Sequence, residues 1–189
     1  MSITAYTKTC ASHTPGNRTL YLLGANKVKA ITIATGEVMT MEVDAVGNMV
    51  KIEFDRDGLA RMDEQTATKN GLLYVTQKLE IDLSKSSAAL QKLIQEIADQ
   101  SPCGIVAVVI DANGSRWLMG CETASATTAT AVGMYMESAN FNSGKAMDED
   151  DADKYVVTLT GMFRHGALHI NAAQEIDLTT VDVIKTPAG

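Results

Sequence analysis

The stretch from Leu79 to Gly120 constrains the fold of this chain more than any other part of the sequence. It reads as a strand, then a capped amphipathic helix, then a buried apolar strand and a tight hairpin. Elements so close together in sequence pack on one another. The stretch therefore predicts a short helix lying on an antiparallel sheet, to which the rest of the chain adds strands.

The helix is predicted over residues 85–100. Its apolar side chains recur at helical spacing and form one stripe, which consists of Leu90, Leu93, Ile94, Ile97 and Ala98. A hydroxyl of Ser84, Ser86 or Ser87 is expected to accept a hydrogen bond from the first turn and cap the helix. Pro102 cannot continue a helix, so the element is expected to end near Gln100.

A hairpin follows the helix directly. Residues 104–111 form an apolar, β-branched run of the kind found in strands that are covered on both faces. Asn113 and Gly114 tolerate positive φ and predict a tight turn. The returning strand, up to Gly120, carries Trp117, and a buried indole N–H would need a partner there.

Further strands are predicted on both sides of this unit. They are Thr19–Leu23, Lys27–Ile33, Glu37–Val43, Met49–Phe54, Leu72–Asp82 and Tyr155–Phe163. Residues 34–36 are expected to join the second and third as a hairpin, and Gly47 and Asn48 to form the next turn. Residues 170–183 are compatible with a last short strand or a helix.

Four segments are predicted to lie outside the core. Residues 1–18 are polar and are expected to form an arm, and residues 184–189 a C-terminal tail. Residues 140–153 are expected to form an acidic loop. Residues 55–71 carry many charges and few large apolar side chains, so they fit an extended loop or a short surface helix near 59–65. We favour a loop that packs poorly on its own domain. Long polar excursions of this kind are uncommon in compact domains unless they have a function, which is often contact with a neighbour.

One uncharged stretch remains open to two interpretations. Residues 123–136 are mostly Ala and Thr, with no charge in fourteen positions. Thr and Val favour a strand, whereas Ala and Gly133 do not. The stretch fits either a small-residue strand lying flat against another subunit or a surface segment.

Composition limits the classes of function that this chain can have. Its 189 residues suit a single domain over 1–189, and its net charge of −7 disfavours direct binding to nucleic acid. No apolar run is long enough for a membrane span, and the first residues do not resemble a secretory signal. The odd set of cysteines (Cys10, Cys103 and Cys121) predicts reduced thiols in a cytosolic setting.

Candidate chemistry is sparse. Five acids in six positions, from Asp148 to Asp153, could gather a hard cation, but the spacing does not match an EF-hand. His165 and His169 have the spacing of metal ligands on a helix, yet the Glu of the zincin motif is absent and Gly166 disfavours a helix. No P-loop, dinucleotide-binding or nucleophile-elbow motif is present. We therefore predict no catalytic, cofactor-binding or metal-binding residues.

The layout of the chain resembles that of tail proteins from phages and prophages of Bacteroidetes-type hosts. The resemblance is carried by the run QSPCGIVAVVIDANGSRWLMG (100–120), the polar segment after it, and VVTLTG (156–161). The preceding LEIDLSKSSAALQKLIQEIA is similar in layout as well. The resemblance covers roughly Thr19 to Arg164 and is strongest from Leu72 to Gly120.

This resemblance implies a virion structural protein of the tail-tube type. Such proteins fold as an antiparallel β-sandwich or half-barrel with one flanking helix, and they assemble as stacked hexameric rings. The expected partners are further copies of the chain, other phage tail proteins, and DNA that passes through the lumen without specific binding. The expected location is the virion tail, assembled in the cytoplasm of the bacterial host. No cofactor and no membrane are implied.

Three alternatives remain at this point. Within the structural class, the chain could be a tail terminator or a head-to-tail connector. In another class, it could be a cytosolic enzyme or metal-binding domain that uses Asp148–Asp153 with His165 and His169. It could also be a monomeric binding module that presents its hairpin edge to a partner.

Overall fold

The computed structural model describes residues 19–46, 49–54, 59–69, 71–84, 87–111, 114–142 and 154–187. Within these residues the chain is mainly β, with one α-helix and three antiparallel sheets. The predicted class, a mainly antiparallel α+β fold with a single helix, is confirmed.

The described elements follow one another in chain order. They are β1 (Thr19–Gly24), β2 (Val28–Ala34), β3 (Glu37–Val43), β4 (Val50–Glu53), β5 (Leu59–Lys69), β6 (Leu72–Ser84), α1 (Ala88–Gln100), β7 (Ile105–Ile110), β8 (Arg116–Met119), β9 (Cys121–Thr123), β10 (Thr128–Ala131), β11 (Tyr135–Asn142), β12 (Lys154–Phe163), β13 (Leu168–His169), β14 (Glu175–Ile176) and β15 (Asp182–Lys185). Short 3-10 turns cover Ala25–Lys27 and Ser101–Cys103.

A five-stranded sheet forms the middle layer, in the order β13-β8-β7-β1-β4. Alternate residues of its strands enter two different cores. In β1, Leu20 and Leu22 belong to one core, and Tyr21 and Leu23 to the other. The run after Gly104 is predicted to be covered on both faces, and the burial of residues 105–109 of β7 confirms this; Ile110, the last residue of the strand, is partly buried.

A six-stranded sheet covers one face of the middle layer, in the order β14-β15-β3-β2-β10-β9. Its predicted hairpin, β2–β3, is confirmed: Ala34 pairs with Glu37 across a two-residue loop. Both loop residues, Thr35 and Gly36, have positive φ, as a type I′ turn requires. Residues 123–136 form β9, β10 and the start of β11 rather than one continuous strand.

A four-stranded sheet and the helix cover the other face of the middle layer. The sheet has the order β11-β12-β6-β5, and β6 contributes Leu79, Ile81 and Leu83 to the shared core. The helix adds Leu90, Leu93 and Ile97 to the same core, so its predicted apolar stripe is confirmed.

The predicted serine cap and the predicted end of the helix are confirmed, whereas the helix begins at Ala88 rather than at residue 85. Ser87 Oγ accepts a hydrogen bond from the Leu90 N–H at 3.1 Å, so Ser87 is the N-cap among the three candidate serines. The helix ends at Gln100, and a 3-10 turn containing Pro102 follows it.

The predicted loop over residues 55–71 is wrong for Leu59–Lys69, which form the eleven-residue strand β5. This strand lies at an edge of the four-stranded sheet, and all eleven of its residues pair with β6. Because most of its side chains face water, β5 lacks the apolar alternation that identifies a half-buried strand. The pairing with β6 determines its conformation.

Two segment boundaries are also wrong. Asn140–Asn142 belong to β11 rather than to the acidic loop. Ile184 and Lys185 belong to β15 rather than to the tail, and Ile184 is fully buried. Lys185 Nζ donates to Asp177 Oδ2 at 2.7 Å, which holds the pKa of the Asp177 carboxyl below its usual range. Residues 170–183 supply short strands instead of a helix.

Several predictions fall outside the described residues. They concern the arm over residues 1–18, the turns at residues 47–48 and 112–113, the start of the charged segment at 55–58, and the acidic segment over 143–153.

Candidate assembly surface

The four-stranded sheet has two long outer strands that pair on one side only within the described residues. β5 pairs only with β6 over eleven residues, and β11 only with β12 over seven of the eight residues of that strand, with a bulge at Glu137. The outward N–H and C=O groups of such strands are available for pairing with another chain. Two positions are exceptions: Ala60 in β5 is already engaged, and the Met136 N–H of β11 donates to Ser101 Oγ at 2.7 Å. Both edges of the sheet are therefore candidate surfaces for contact between subunits.

At one end of this sheet, which we call the tip end, the β5–β6 hairpin extends beyond β12. The pairing of β12 with β6 stops at Val75, whereas β5 accompanies β6 as far as Leu72. The last residues of the β5–β6 hairpin therefore form a two-stranded extension. A hairpin of two strands buries little apolar surface by itself.

Large apolar side chains are exposed at the tip end. Leu72 is 60% exposed, Leu73 52%, Met162 62% and Tyr135 49%. By the strand register, Leu72, Tyr135 and Met162 lie on the outer face of the sheet, away from its core, and Leu73 lies on the inner face, beyond the last pair with β12. We call these four residues the tip patch. Exposed apolar residues gathered in one region of a surface indicate an interaction site.

The connection between β12 and β13, at the same end, is held by side chains from three different strands. Gln77 is fully buried in β6; its Nε2 donates to the His165 carbonyl at 3.3 Å, and its Oε1 accepts from the Gly120 N–H at 2.9 Å. Glu64 accepts from the Ala167 N–H, and Glu122 Oε1 accepts from the Arg164 N–H at 3.2 Å.

These bonds fix the backbone of residues 164–167 and leave the side chains of Arg164 and His165 exposed. The tip end therefore presents a positive charge beside its apolar patch. The carboxylates of Glu64 and Glu122, which also lie near this connection, are each engaged by a backbone N–H.

The rest of the outer face is polar and balanced in charge. Arg61 and Glu80 form an ion pair at 3.6 Å, Lys78 and Glu80 lie 3.9 Å apart, and Lys154 lies 3.6 Å from Asp82. Exposed pairs of this kind add little stability. Their effect is to keep this face close to neutral in a chain whose net charge is −7.

At the opposite end of the sheet, Phe141 of β11 pairs with Tyr155 of β12, and their rings lie with centroids 4.6 Å apart and planes inclined by 38°. Phe141 is exposed there.

The two histidines of the alternative metal site have separate surroundings. His169 Nδ1 lies 3.2 Å from Glu37 Oε1, and its ring meets Trp117 edge-on with centroids 5.0 Å apart. His165 is exposed on the connection after β12. Within the described ranges, no three His, Cys, Asp or Glu side chains are grouped so that they could hold a metal ion. Residues 148–153 of that alternative lie outside the described residues.

Trp117, Cys103 and Cys121 were also singled out in the sequence. A fully buried indole N–H would need a hydrogen-bond partner, but Trp117 is only partly buried, with its ring against that of His169. Cys103 is exposed and Cys121 is buried, and both are free thiols. Burial raises the pKa of the Cys121 thiol above its ordinary value, which keeps it protonated and unreactive.

In the part of the chain that the structure describes, no helix has the length and apolar content of a membrane span.

Sequence reasoning missed the main features of this surface. The sequence of β5 has no apolar period, and Leu72 and Leu73 predict only the start of an ordinary strand. One signal was present: Asn70-Gly71 is a strong hairpin dipeptide between two runs containing Thr and β-branched residues.

Comparison with known proteins identified no relative: no protein-family model, no curated protein and no solved structure matches this chain.

Proposed function

We propose that this chain is a virion structural protein of the phage tail-tube type, which self-assembles into stacked rings around a conduit for DNA. The four-stranded sheet forms the wall of the ring, and six copies form the ring, as the resemblance in sequence layout implies. Other tail proteins cap and connect the tube. The assembled protein resides in the virion tail after assembly in the host cytoplasm.

The observation that carries the proposal is the pair of open edges on a sheet with an even number of strands. Because the four strands alternate in direction, β5 and β11 run antiparallel to each other. Neighbouring copies in a ring are related by rotation, and rotating a copy about an axis parallel to its strands leaves the strand direction unchanged. The β5 strand of one copy therefore meets β11 of the next in the antiparallel orientation that a continuous sheet needs.

Such a contact joins two different surfaces of neighbouring copies. When the same rotation is repeated from copy to copy through a full turn, it closes a ring. Closure removes both open edges, which are an aggregation hazard in an isolated subunit. The near-neutral outer face supports the same function, because a wall without a basic patch does not retain DNA.

The proposal is tested by negative-stain electron microscopy beside the mass of the full chain in solution, followed by hydrogen exchange. We expect rings with a central hole. We also expect amides of β5 and β11 that exchange quickly in dilute monomer and slowly in the assembly. The outer edge of β4 serves as the matched control, because it is also an edge strand and lies outside the proposed seam.

A monodisperse monomer at every concentration would contradict the proposal. Rings that never stack would instead identify a tail terminator or a connector. Equal protection of β4 and β5 on assembly would show that the seam lies elsewhere.

A further inference from the structure

We infer that His169 and Glu37 form a pH-sensitive clasp between the middle sheet and the six-stranded sheet, which tightens when the imidazole of His169 takes up a proton. The clasp is independent of the proposed ring assembly, because it joins two sheets within a single copy of the chain.

The clasp acts on residues 168–171, which run between the two sheets and which we call the strap. The first two residues of the strap pair with β8 of the middle sheet. The last two reach β3 of the six-stranded sheet: Ile170 forms a parallel bridge with Val38, and the Asn171 N–H donates to the Val38 carbonyl at 3.2 Å. The strap therefore links the two sheets through its backbone.

Glu37, the first residue of β3, holds the strap with both of its carboxylate oxygens. Oε1 lies 3.2 Å from His169 Nδ1, and Oε2 accepts from Asn171 Nδ2 at 2.6 Å. The two strap residues are two positions apart on an extended segment, so their side chains point to the same side. Because a carboxylate only accepts hydrogen bonds, Nδ1 of His169 has to carry a hydrogen for this contact to be favourable.

Protonation of His169 turns this contact from a hydrogen bond of a neutral ring into an ion pair, which is the stronger kind. The side chains of His169 and Glu37 are 34% and 35% exposed, so the ring can exchange its proton with water. Histidine is the side chain whose charge ordinarily changes between about pH 5 and 8, a range in which glutamate stays ionised. The stability that the ion pair contributes is therefore present at the acidic end of this range and is lost as the pH rises.

The other charged side chains of the two strands beside the strap have partners of their own. In β8, the guanidinium of Arg116 donates to the Gln174 carbonyl. In β3, Glu42 lies 3.7 Å from Lys29. The clasp therefore consists of one titrating ring that faces one carboxylate.

Trp117 is the only tryptophan of the chain and reports directly on the clasp, because its ring meets that of His169 edge-on with centroids 5.0 Å apart. A protonated imidazole quenches the fluorescence of an indole that it contacts. We therefore expect the fluorescence of the full wild-type chain to rise in one step between about pH 5.5 and about pH 8. His169→Gln keeps a hydrogen-bond donor beside Glu37 and is expected to abolish the step. His165→Gln is the matched control and is expected to keep it, because His165 is exposed outside the strap.

Hydrogen exchange separates a clasp from a simple contact between the two rings. Over the same pH range, the Asn171 N–H is expected to lose about threefold of its protection, relative to its intrinsic exchange rate, which is the factor that a partly exposed ion pair supplies. Glu37→Gln is expected to keep the fluorescence step, since the rings remain in contact, and to remove the change in protection. Thermal melting verifies that each variant is folded.

A wild-type chain whose Trp117 fluorescence stays constant over this range would overturn the inference without the use of any variant. Persistence of the step in His169→Gln would overturn it too, because the titrating group would then lie elsewhere. Protection that still depends on pH in Glu37→Gln would show that another group holds the strap, and the clasp would be wrong.

Discussion

At the scale of single residues, three glycines determine how the strands meet. Gly104, Gly120 and Gly133 all have positive φ, and the backbone of Gly133 lies close to those of both Gly104 and Gly120. They precede β7, separate β8 from β9, and precede β11, respectively. Because no side chain fits between these segments, the close approach of three connections depends on the missing Cβ atoms.

Replacing Gly133 by Ala is expected to lower the free energy of unfolding by about 3 kcal/mol or more. A Cβ there would lie 2.5 Å from the Gly104 Cα, so steric overlap of roughly 1–3 kcal/mol adds to a φ of +89° that costs about 1–2 kcal/mol. Denaturant unfolding measures the change.

Gly36→Ala is the control for this prediction. Gly36 has φ +83°, and nothing lies within 4 Å of the added Cβ, so only the backbone cost of about 1–2 kcal/mol is expected. Equal losses in the two variants would show that contact among the three glycines is unimportant.

At the scale of elements, the helix carries its own start signal. The Ser87 side chain caps the first turn by accepting from the Leu90 N–H. Leu90 is itself buried in the core that the helix shares with the four-stranded sheet. The cap therefore fixes the point at which the apolar stripe enters the core.

Ser87→Ala is expected to lower the free energy of unfolding by about 1 kcal/mol, because it leaves an N–H of the first turn without its acceptor. Ser87→Asp retains an acceptor and is expected to lie within about 0.5 kcal/mol of the wild type. Circular dichroism during urea unfolding compares the three proteins. A loss in the Asp variant as large as that in the Ala variant would argue against the capping role.

At the scale of the whole molecule, the two described cores share the middle sheet, and the first described strand contributes Leu20 to one and Tyr21 to the other. The polar residues 1–18 are expected from the sequence to form an arm rather than core, and in the proposed assembly this arm bridges rings.

A chain lacking residues 2–18 is therefore expected to unfold with a free energy within about 1 kcal/mol of that of the full chain. Its rings are expected to persist, with shorter columns under the electron microscope. A clear loss of stability would show that the segment belongs to the fold. Columns of unchanged length would show that it does not bridge rings.

The patterns that depend on near neighbours in the chain were sufficient for much of this fold. The apolar stripe from Leu90 to Ile97, the serine cap, Pro102 and the β-branched run of β7 each act through local geometry or one buried face. The strands β1, β2, β3, β6 and β12 were predicted for the same reason, because alternating or continuous burial appears directly in their composition.

Long-range packing decided the rest. β5 is a strand because β6 lies beside it, and its exposed edge position removes the apolar period that would reveal it. Gln77 is buried because the His165 carbonyl and the Gly120 N–H approach it from distant parts of the chain. Ile184 is core instead of tail because β15 pairs with β3. Leu73 of the tip patch, likewise, is exposed because β12 stops short of the hairpin that β5 and β6 extend. Contacts between residues far apart in sequence leave no local pattern, so these features required the tertiary structure.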